Sequence, residues 1–161
     1  MRSCSDVHNF LVEKDIPHEV LHLQASSRTA RAASELLGVS LGEVVKSLLF
    51  LLDGLPTLVL VPGDRVADVP LLKEATGCSR AALATGKQVL DLTGYRAGAV
   101  PPCGLAVDLP VVADAGVFAK AVVYCGGGTT ATMLKIRSAD LRTLLRLVVA
   151  DVTAPAPDDQ A

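Results

Sequence analysis

Val44-Val45-Lys46-Ser47-Leu48-Leu49-Phe50-Leu51-Leu52 is followed by Asp53-Gly54-Leu55-Pro56 and then by Thr57-Leu58-Val59-Leu60-Val61. Two runs rich in β-forming residues on either side of an Asp-Gly pair predict a β-hairpin. Side chains alternate between the two faces of a strand, so Lys46, Leu48 and Phe50 are predicted to share one face. Val45, Ser47 and Leu49 then share the other face. This hairpin is the strongest local prediction in the chain.

Length and composition describe a globular domain of ordinary size. The chain has 161 residues, of which 50% are hydrophobic and 20% charged, which suits one domain with a real core. A formal net charge of -2 argues against a general nucleic-acid coat but leaves room for holding one nucleotide end. With three Phe, two Tyr and no Trp, base-stacking platforms are disfavoured. The N-terminus lacks a signal-peptide pattern and no apolar run is long enough to span a bilayer, so we expect a cytoplasmic location.

Metal and cofactor motifs are absent from the sequence. The four cysteines, at positions 4, 78, 103 and 125, form no CxxC pair. His18 and His22 fall on a predicted strand, where they would lie roughly 13 Å apart, too far for one metal ion. No Gly-rich nucleotide motif follows a strand, and no serine–histidine or cysteine–histidine pair is recognisable. We therefore predict no metal, no cofactor and no nucleophilic triad.

Capping and turn residues place the remaining elements. They predict helices at about 5–14, 30–37, 68–75, 85–92 and 139–147, and further strands at 18–23, 105–108, 120–124 and 131–136. Helices and strands are mixed without regular alternation, which favours an α+β fold with a curved, mixed sheet over a doubly wound sheet. We expect one domain over residues 1–150. Residues 151–161 are expected to form a flexible tail, because from Thr153 onward the chain is rich in Pro, Ala and Asp.

Lys46 is the first candidate functional residue. It is a single charge within the most apolar stretch of the chain. A lysine at this position must either reach water or meet a partner, because burying an unpaired ammonium is costly. The residues alone leave two alternatives: a cation that holds a ligand, or a strand-edge lysine that opposes aggregation.

Two glycine-containing loops are the other candidates. In Gly98-Ala99-Val100-Pro101-Pro102 a glycine permits close approach to a ligand and two prolines stiffen the end of the segment, so exposed N–H groups could receive a carbonyl or an oxyanion. Gly126-Gly127-Gly128-Thr129-Thr130 is a second loop where backbone could approach a ligand, although no helix comes directly after it. A plain connecting loop and a hairpin turn are the respective alternatives.

Taken in order, these segments resemble the YbaK/EbsC-type aminoacyl-tRNA deacylases, free-standing relatives of the editing domain of bacterial prolyl-tRNA synthetases. The resemblance covers about residues 5–147. Its markers are Ala30 to Gly38, Val44 to Phe50, Leu58 to Asp64, Leu92 to Tyr95, the Gly98–Pro102 segment as the GxxxP loop, Gly126 to Gly128, and Ser138 to Leu141. It implies a compact, barrel-like α+β fold in which helices pack around a curved mixed sheet. It also implies hydrolysis of the ester that joins a wrong amino acid to the 3′ adenosine of a tRNA.

The resemblance also assigns residues and partners. Lys46 and Gly98 are predicted to be catalytic, without a protein nucleophile, metal or cofactor. The predicted substrate-binding residues are Ser47, Ala99, Val100, Pro101, Pro102, Gly127, Gly128 and Thr129. The implied partners are the tRNA acceptor end and a prolyl-tRNA synthetase that presents it, with no membrane and no DNA.

Substrate identity is left open by the residues. Cys103 stands where relatives often carry an aromatic residue, and Thr129, Thr130 and Lys135 also depart from the common pattern. The aliphatic lining favours a small side chain such as cysteine, alanine or proline, with Cys-tRNA(Pro) as the leading substrate. The alternatives are a deacylase of Ala- or Ser-charged tRNA, a non-catalytic binding module that retains the pocket, and a small-molecule hydrolase or regulatory protein.

Overall fold

The structure, a computed structural model, describes residues 1–157. Helices and strands alternate irregularly along this range, as the sequence predicts. The helices are α1 (Cys4–Glu13), α2 (Ala30–Leu37), α3 (Val69–Thr76), α4 (Gly86–Thr93) and α5 (Ser138–Leu144). The strands are β1 (His18–His22), β2 (Val44–Leu52), β3 (Leu55–Pro62), β4 (Arg65–Ala67), β5 (Ala81–Leu83), β6 (Val111–Asp114), β7 (Val122–Gly126), β8 (Thr132–Arg137), β9 (Leu147–Ala150) and β10 (Thr153–Pro155).

A mixed sheet forms the body of the fold. Its strands follow the order β1-β8-β7-β2-β3-β6-β9, and β5 pairs with β2 beside this path. The pairs β2–β7, β3–β6 and β6–β9 are parallel, and the other pairs are antiparallel. A small second sheet joins β10 to β4. The predicted α+β class with a mixed sheet is confirmed.

The hairpin at the centre is β2–β3. Its turn is only Asp53-Gly54, with φ of 49° and 81°, and two positive φ values are typical of the tight turn that matches strand twist. The second strand therefore begins at Leu55, paired with Leu52, rather than at Thr57. The two faces of β2 enter different cores: Leu49 packs into the larger cluster and Phe50 into a second one. The predicted alternation of faces is confirmed.

Three local predictions are wrong. The first helix begins at Cys4 rather than at residue 5, because Ser3 caps it in a capping box with Asp6. Residues 105–108 form no strand, because the Ala106 N–H donates to the Thr93 carbonyl instead of a ladder, and the strand lies at Val111–Asp114. The last helix ends at Leu144, since the residues after it extend and pair with β6.

The predicted boundary after residue 150 also needs correction. Val152 is fully buried, its N–H donates to Asp114 Oδ1 at 3.0 Å, and β10 pairs with β4. Residues 152–155 are therefore part of the domain, because pairing with β4 outweighs their loop-like composition. The end of the predicted tail, residues 158–161, lies outside the described residues. Within residues 1–157, no helix is long and apolar enough to cross a bilayer.

Candidate functional site

The site lies where the sheet divides. One edge of β2 pairs with β7 at Val44 and Val45 and with β5 from Phe50 onward. Between these two partners, Lys46 to Leu48 have a strand neighbour on one side only, namely β3. A cavity of about 240 Å³ opens at this gap. We call it the Lys46 pocket; its walls are Ser27, Arg28, Thr29, Ala30, Ala33, Val44, Val45, Lys46, Ser47, Leu48, Gly98, Val100, Gly126 and Met133.

Lys46 lines this pocket, and its ammonium is held by a backbone carbonyl. Its Nζ donates a hydrogen bond to the Arg65 carbonyl oxygen at 2.7 Å. Partial burial lowers the pKa of the Lys46 ammonium from its usual 10.5, and the nearby Asp64 carboxylate offsets part of that effect. One acceptor occupies one of three donors, so the ammonium can still bind an anion or a polarised carbonyl. Although β2 is locally unpaired here, Lys46 is partly buried and hydrogen-bonded, unlike an edge lysine in bulk solvent.

Ser47 supplies a second polar group. Its Oγ is buried, and no group in the chain from 1 to 157 forms a hydrogen bond with it. A buried hydroxyl without a partner is costly, and such groups are often found where a ligand or water completes the bonding. Ser47 lines the Lys46 pocket, so a bound molecule can complete its hydrogen bonding there.

The Gly98 turn forms another part of the wall. Gly98 has φ +88°, a conformation that favours glycine. The Ala99 N–H is taken by the Arg96 carbonyl at 3.0 Å, which closes the turn. The N–H groups of Gly98 and Val100 have no backbone acceptor within the described part of the chain. These two amides, rather than all three, are the donors that the turn can offer a ligand.

The glycine run braces this turn. A Cβ on Gly126 would lie 2.3 Å from the Val100 carbonyl oxygen, and the Gly128 N–H donates to the Ala99 carbonyl at 3.0 Å. A Cβ on Gly127 would lie 2.6 Å from the Thr132 backbone. Gly126 therefore permits close packing against the Gly98 turn, and Gly128 is bonded to it.

The two buried cysteines, Cys103 and Cys125, lack the environment of a nucleophile. Burial raises the pKa of the Cys103 thiol to about 12 and raises that of Cys125 as well. Cys103 faces a different cavity, beside Phe10 and Leu144. In the described range, no three His, Cys, Asp or Glu side chains come together as a metal site.

Comparison with known proteins assigns the family. The family model described as "Aminoacyl-tRNA editing domain" matches residues 24–144. The chain belongs to the aminoacyl-tRNA editing domain family. The predicted family is confirmed. Membership of this family also supports the predicted enzyme class, aminoacyl-tRNA deacylase.

Relatives of this editing domain occur both inside synthetases and as free-standing chains. The proline–tRNA ligase of Citrifermentans bemidjiense is 30% identical over 125 residues, 77% of this chain but 22% of the ligase. The uncharacterised protein YwhH of Bacillus subtilis is 30% identical over 135 residues, 82% of this chain and 85% of YwhH. This chain thus spans about a fifth of the ligase but most of YwhH.

Solved structures show the same fold. A protein proposed as a trans-editing enzyme for prolyl-tRNA synthetase is 30% identical, with a TM-score of 0.86 over 96% of this chain and 98% of that one. A hypothetical protein is 33% identical, with a TM-score of 0.87 over 92% of this chain and 99% of the other.

The structure of the editing domain separates the predicted site residues into groups. Four of them line the Lys46 pocket: Lys46, Ser47, Gly98 and Val100. Ala99, Gly128 and Thr129 line a neighbouring cavity of about 550 Å³. Pro101, Pro102 and Gly127 are buried, and Pro102 borders the cavity that Cys103 faces. Their placement suits support of the turn better than contact with a ligand in the Lys46 pocket.

Several wall residues were missed by sequence reasoning. Ala30 and Ala33 come from the start of α2, Arg28 lies just before the N-cap of α2, and Met133 comes from β8. Their positions follow from packing between distant segments, which no local pattern reports. Gly126 belongs to the predicted glycine-rich loop but was not among the predicted substrate-binding residues.

Proposed function

We propose that this editing domain hydrolyses the ester of a mischarged tRNA, with Cys-tRNA(Pro) as the leading substrate. The observation that carries the proposal is that Lys46 and the Gly98 turn line one small cavity. This cavity otherwise has mainly small or aliphatic walls. It joins a cation and free amides to a space suited to an amino-acid side chain, which an aminoacyl ester requires.

The chemistry follows from the groups present. An ester carbonyl is already activated, so orientation and charge stabilisation are enough to accelerate attack by water. Water adds to the carbonyl carbon, and the developing oxyanion is stabilised by the Gly98 and Val100 amides or by the Lys46 ammonium. The bond to the ribose oxygen then breaks, that oxygen takes a proton, and the free amino acid leaves. In this scheme no protein side chain forms a covalent bond.

Selectivity rests on the apolar wall. Ala30, Ala33, Val44, Val100 and Met133 surround a cavity of about 240 Å³, which favours a small side chain. An apolar wall separates substrates that differ by one methylene by only about 1–3 kcal/mol. Alanine and cysteine esters are therefore the relevant competitors.

The proposed partner rests on the similarity of this chain to known proteins. The chain resembles one part of proline–tRNA ligases, and a protein of the same fold is described as acting in trans for prolyl-tRNA synthetase. The overall charge of -2 favours weak independent binding of tRNA. We expect a prolyl-tRNA synthetase to present the acceptor end; the cytoplasmic location stays a prediction from sequence.

The test is deacylation of Cys-, Ala-, Ser- and Pro-charged tRNA(Pro) by the wild-type chain and by Lys46→Ala. We expect turnover of the cysteine ester and a reduction of about a hundredfold or more in kcat/KM for Lys46→Ala, as for removal of a group that stabilises the transition state. Lys73→Ala, on α3 away from the Lys46 pocket, is the matched control and should behave as wild type. Binding without turnover of any ester would favour the non-catalytic module, and unchanged activity in Lys46→Ala would remove Lys46 from the mechanism.

A further inference from the structure

A second cavity adjoins the Lys46 pocket on the other side of the Gly98 turn. Its volume is about 550 Å³, and Arg28 lines both cavities. Ala97 and Ala99, the neighbours of Gly98, line the second one. A chain-like ligand seated in the Lys46 pocket can therefore continue past Arg28 into it. We call it the arginine pocket.

Charge in the arginine pocket is strongly one-sided. Three arginines line it, Arg2, Arg28 and Arg96, and no carboxylate does. Arg2 is already engaged, since it pairs with Asp6 at 3.7 Å and donates to the Gly104 carbonyl at 3.4 Å. The guanidinium groups of Arg28 and Arg96 have no hydrogen bond or ion pair with the rest of residues 1–157. In a chain of net charge -2, two unpaired guanidiniums beside a cavity indicate an anionic ligand.

Backbone and hydroxyl groups around the cavity also suit an anion. Ser3, the N-cap of α1, and Gly86, the first residue of α4, both line it, so two helix N-termini border the same space. Helix N-termini favour negative charge. Thr129 and Thr130 add hydroxyl groups at the rim.

We infer that the arginine pocket binds phosphodiester groups of the last two linkages of the single-stranded tRNA acceptor end, while the terminal ester occupies the Lys46 pocket. This assignment rests on the proposed function and names how that substrate is held. Arg28, between the two cavities, contacts the phosphate next to the terminal nucleoside, and Arg96 contacts the one before it. Because these contacts are the same before and during hydrolysis, they contribute to binding and not to the chemical step.

The experiment compares wild type, Arg28→Ala and Arg96→Ala on an RNA minihelix with a single-stranded 3′ end. Binding of the minihelix without an amino acid is measured by fluorescence anisotropy at several salt concentrations. Deacylation of the aminoacylated minihelix gives kcat and KM. Each variant should raise Kd and KM roughly tenfold, as for removal of a charge-assisted hydrogen bond, with kcat unchanged. The slope of log K against log salt is negative. Its magnitude should decrease by about 0.7 for each single-strand phosphate that a variant no longer neutralises. Arg146→Ala is the charge-matched control. It removes an exposed arginine next to β9, the last strand in the sheet order, and outside the arginine pocket.

A second minihelix identifies the phosphates. Its last two linkages are uncharged methylphosphonates. Wild type should bind it at least tenfold more weakly than the ordinary minihelix, and Arg96→Ala should then cause little further weakening, because the two changes remove the same interaction. Equal weakening by Arg96→Ala on both minihelices, or variants that match Arg146→Ala, would overturn the inference while leaving the proposed function intact. Binding as expected with no turnover of any charged minihelix would instead contradict the proposed function.

Discussion

A Cβ placed on Gly126 would lie 2.3 Å from the carbonyl oxygen of Val100. Gly126 ends β7, and Val100 belongs to the turn that offers its amides to the Lys46 pocket. Because Gly126 has no side chain, the backbone of Val100 can pack directly against it. The geometry of the proposed oxyanion donors depends on this close packing.

Gly126→Ala should therefore displace the Gly98 turn. A methyl group cannot occupy space so close to a backbone oxygen, so we expect both a lower melting temperature and a fall in kcat/KM of about tenfold or more, the sensitivity expected when reacting groups move by a fraction of an ångström. Gly77→Ala is the control. It has φ +73° and open space around it, so it carries backbone strain alone, about 1 kcal/mol, without touching the pocket. Equal activity in the two variants would show that the close packing is unimportant for catalysis.

Ser47→Ala separates activity from stability. The Ser47 hydroxyl is buried and has no partner in residues 1–157, so its removal should leave the free energy of unfolding unchanged or raise it by up to about 1 kcal/mol. If the hydroxyl bonds the substrate, kcat/KM should fall about tenfold.

Ser138→Ala gives the opposite pattern. The Ser138 hydroxyl donates to the Lys120 carbonyl at 2.6 Å, away from the pocket, so we expect reduced stability and retained activity. Urea titrations and deacylation rates on the two variants provide the measurement. Reduced stability in Ser47→Ala would mean that the hydroxyl has a structural role.

The lowered pKa of Lys46 gives a pH dependence. If the ammonium is required, kcat/KM should decline on the alkaline side with a midpoint below 10.5, after subtraction of spontaneous hydrolysis. Burial disfavours the charged form, so folding releases protons between the lowered pKa and the unfolded value. The unfolding free energy of wild type, relative to that of Lys46→Met, should therefore rise with pH between these two pKa values. Below both values the ammonium is charged in the folded and unfolded states, so the full cost of burying it destabilises the fold. A titration midpoint of the Lys46 side chain at or above 10.5, measured by NMR, would contradict this account.

Sequence predicted the centre of the fold better than its margins. The β2–β3 hairpin and α2 are encoded locally, by an Asp-Gly turn and by the Thr29 and Gly38 caps. The central residues of these elements were predicted correctly. Lys46, Gly98 and Val100 line one cavity, and their roles in it stay predictions. Arg28 and Met133 escaped prediction because their place in the wall is decided by the docking of α2 and β8. β9 and β10 were missed because pairing with β6 and β4 overrides local composition.

The missed strand β10 is coupled to Lys46. Thr153 Oγ1 accepts a hydrogen bond from Arg65 Nε at 2.6 Å, and the Arg65 carbonyl accepts the bond from Lys46 Nζ. Val152, just before β10, is fully buried in the second core cluster. The C-terminal segment therefore holds β4, and β4 holds the lysine.

Val152→Ala should loosen this connection. Removing two buried methyl groups costs about 2 kcal/mol of unfolding free energy, and the cavity it leaves lies under β10. We expect a lower urea midpoint together with a several-fold fall in kcat, because the Arg65 carbonyl no longer holds the ammonium in one position. Val148→Ala, at a residue that is 51% exposed on β9, should change stability by less than about 0.5 kcal/mol and leave kcat as it is. Wild-type kcat in a destabilised Val152→Ala protein would show that the strand contributes to folding alone and does not position Lys46.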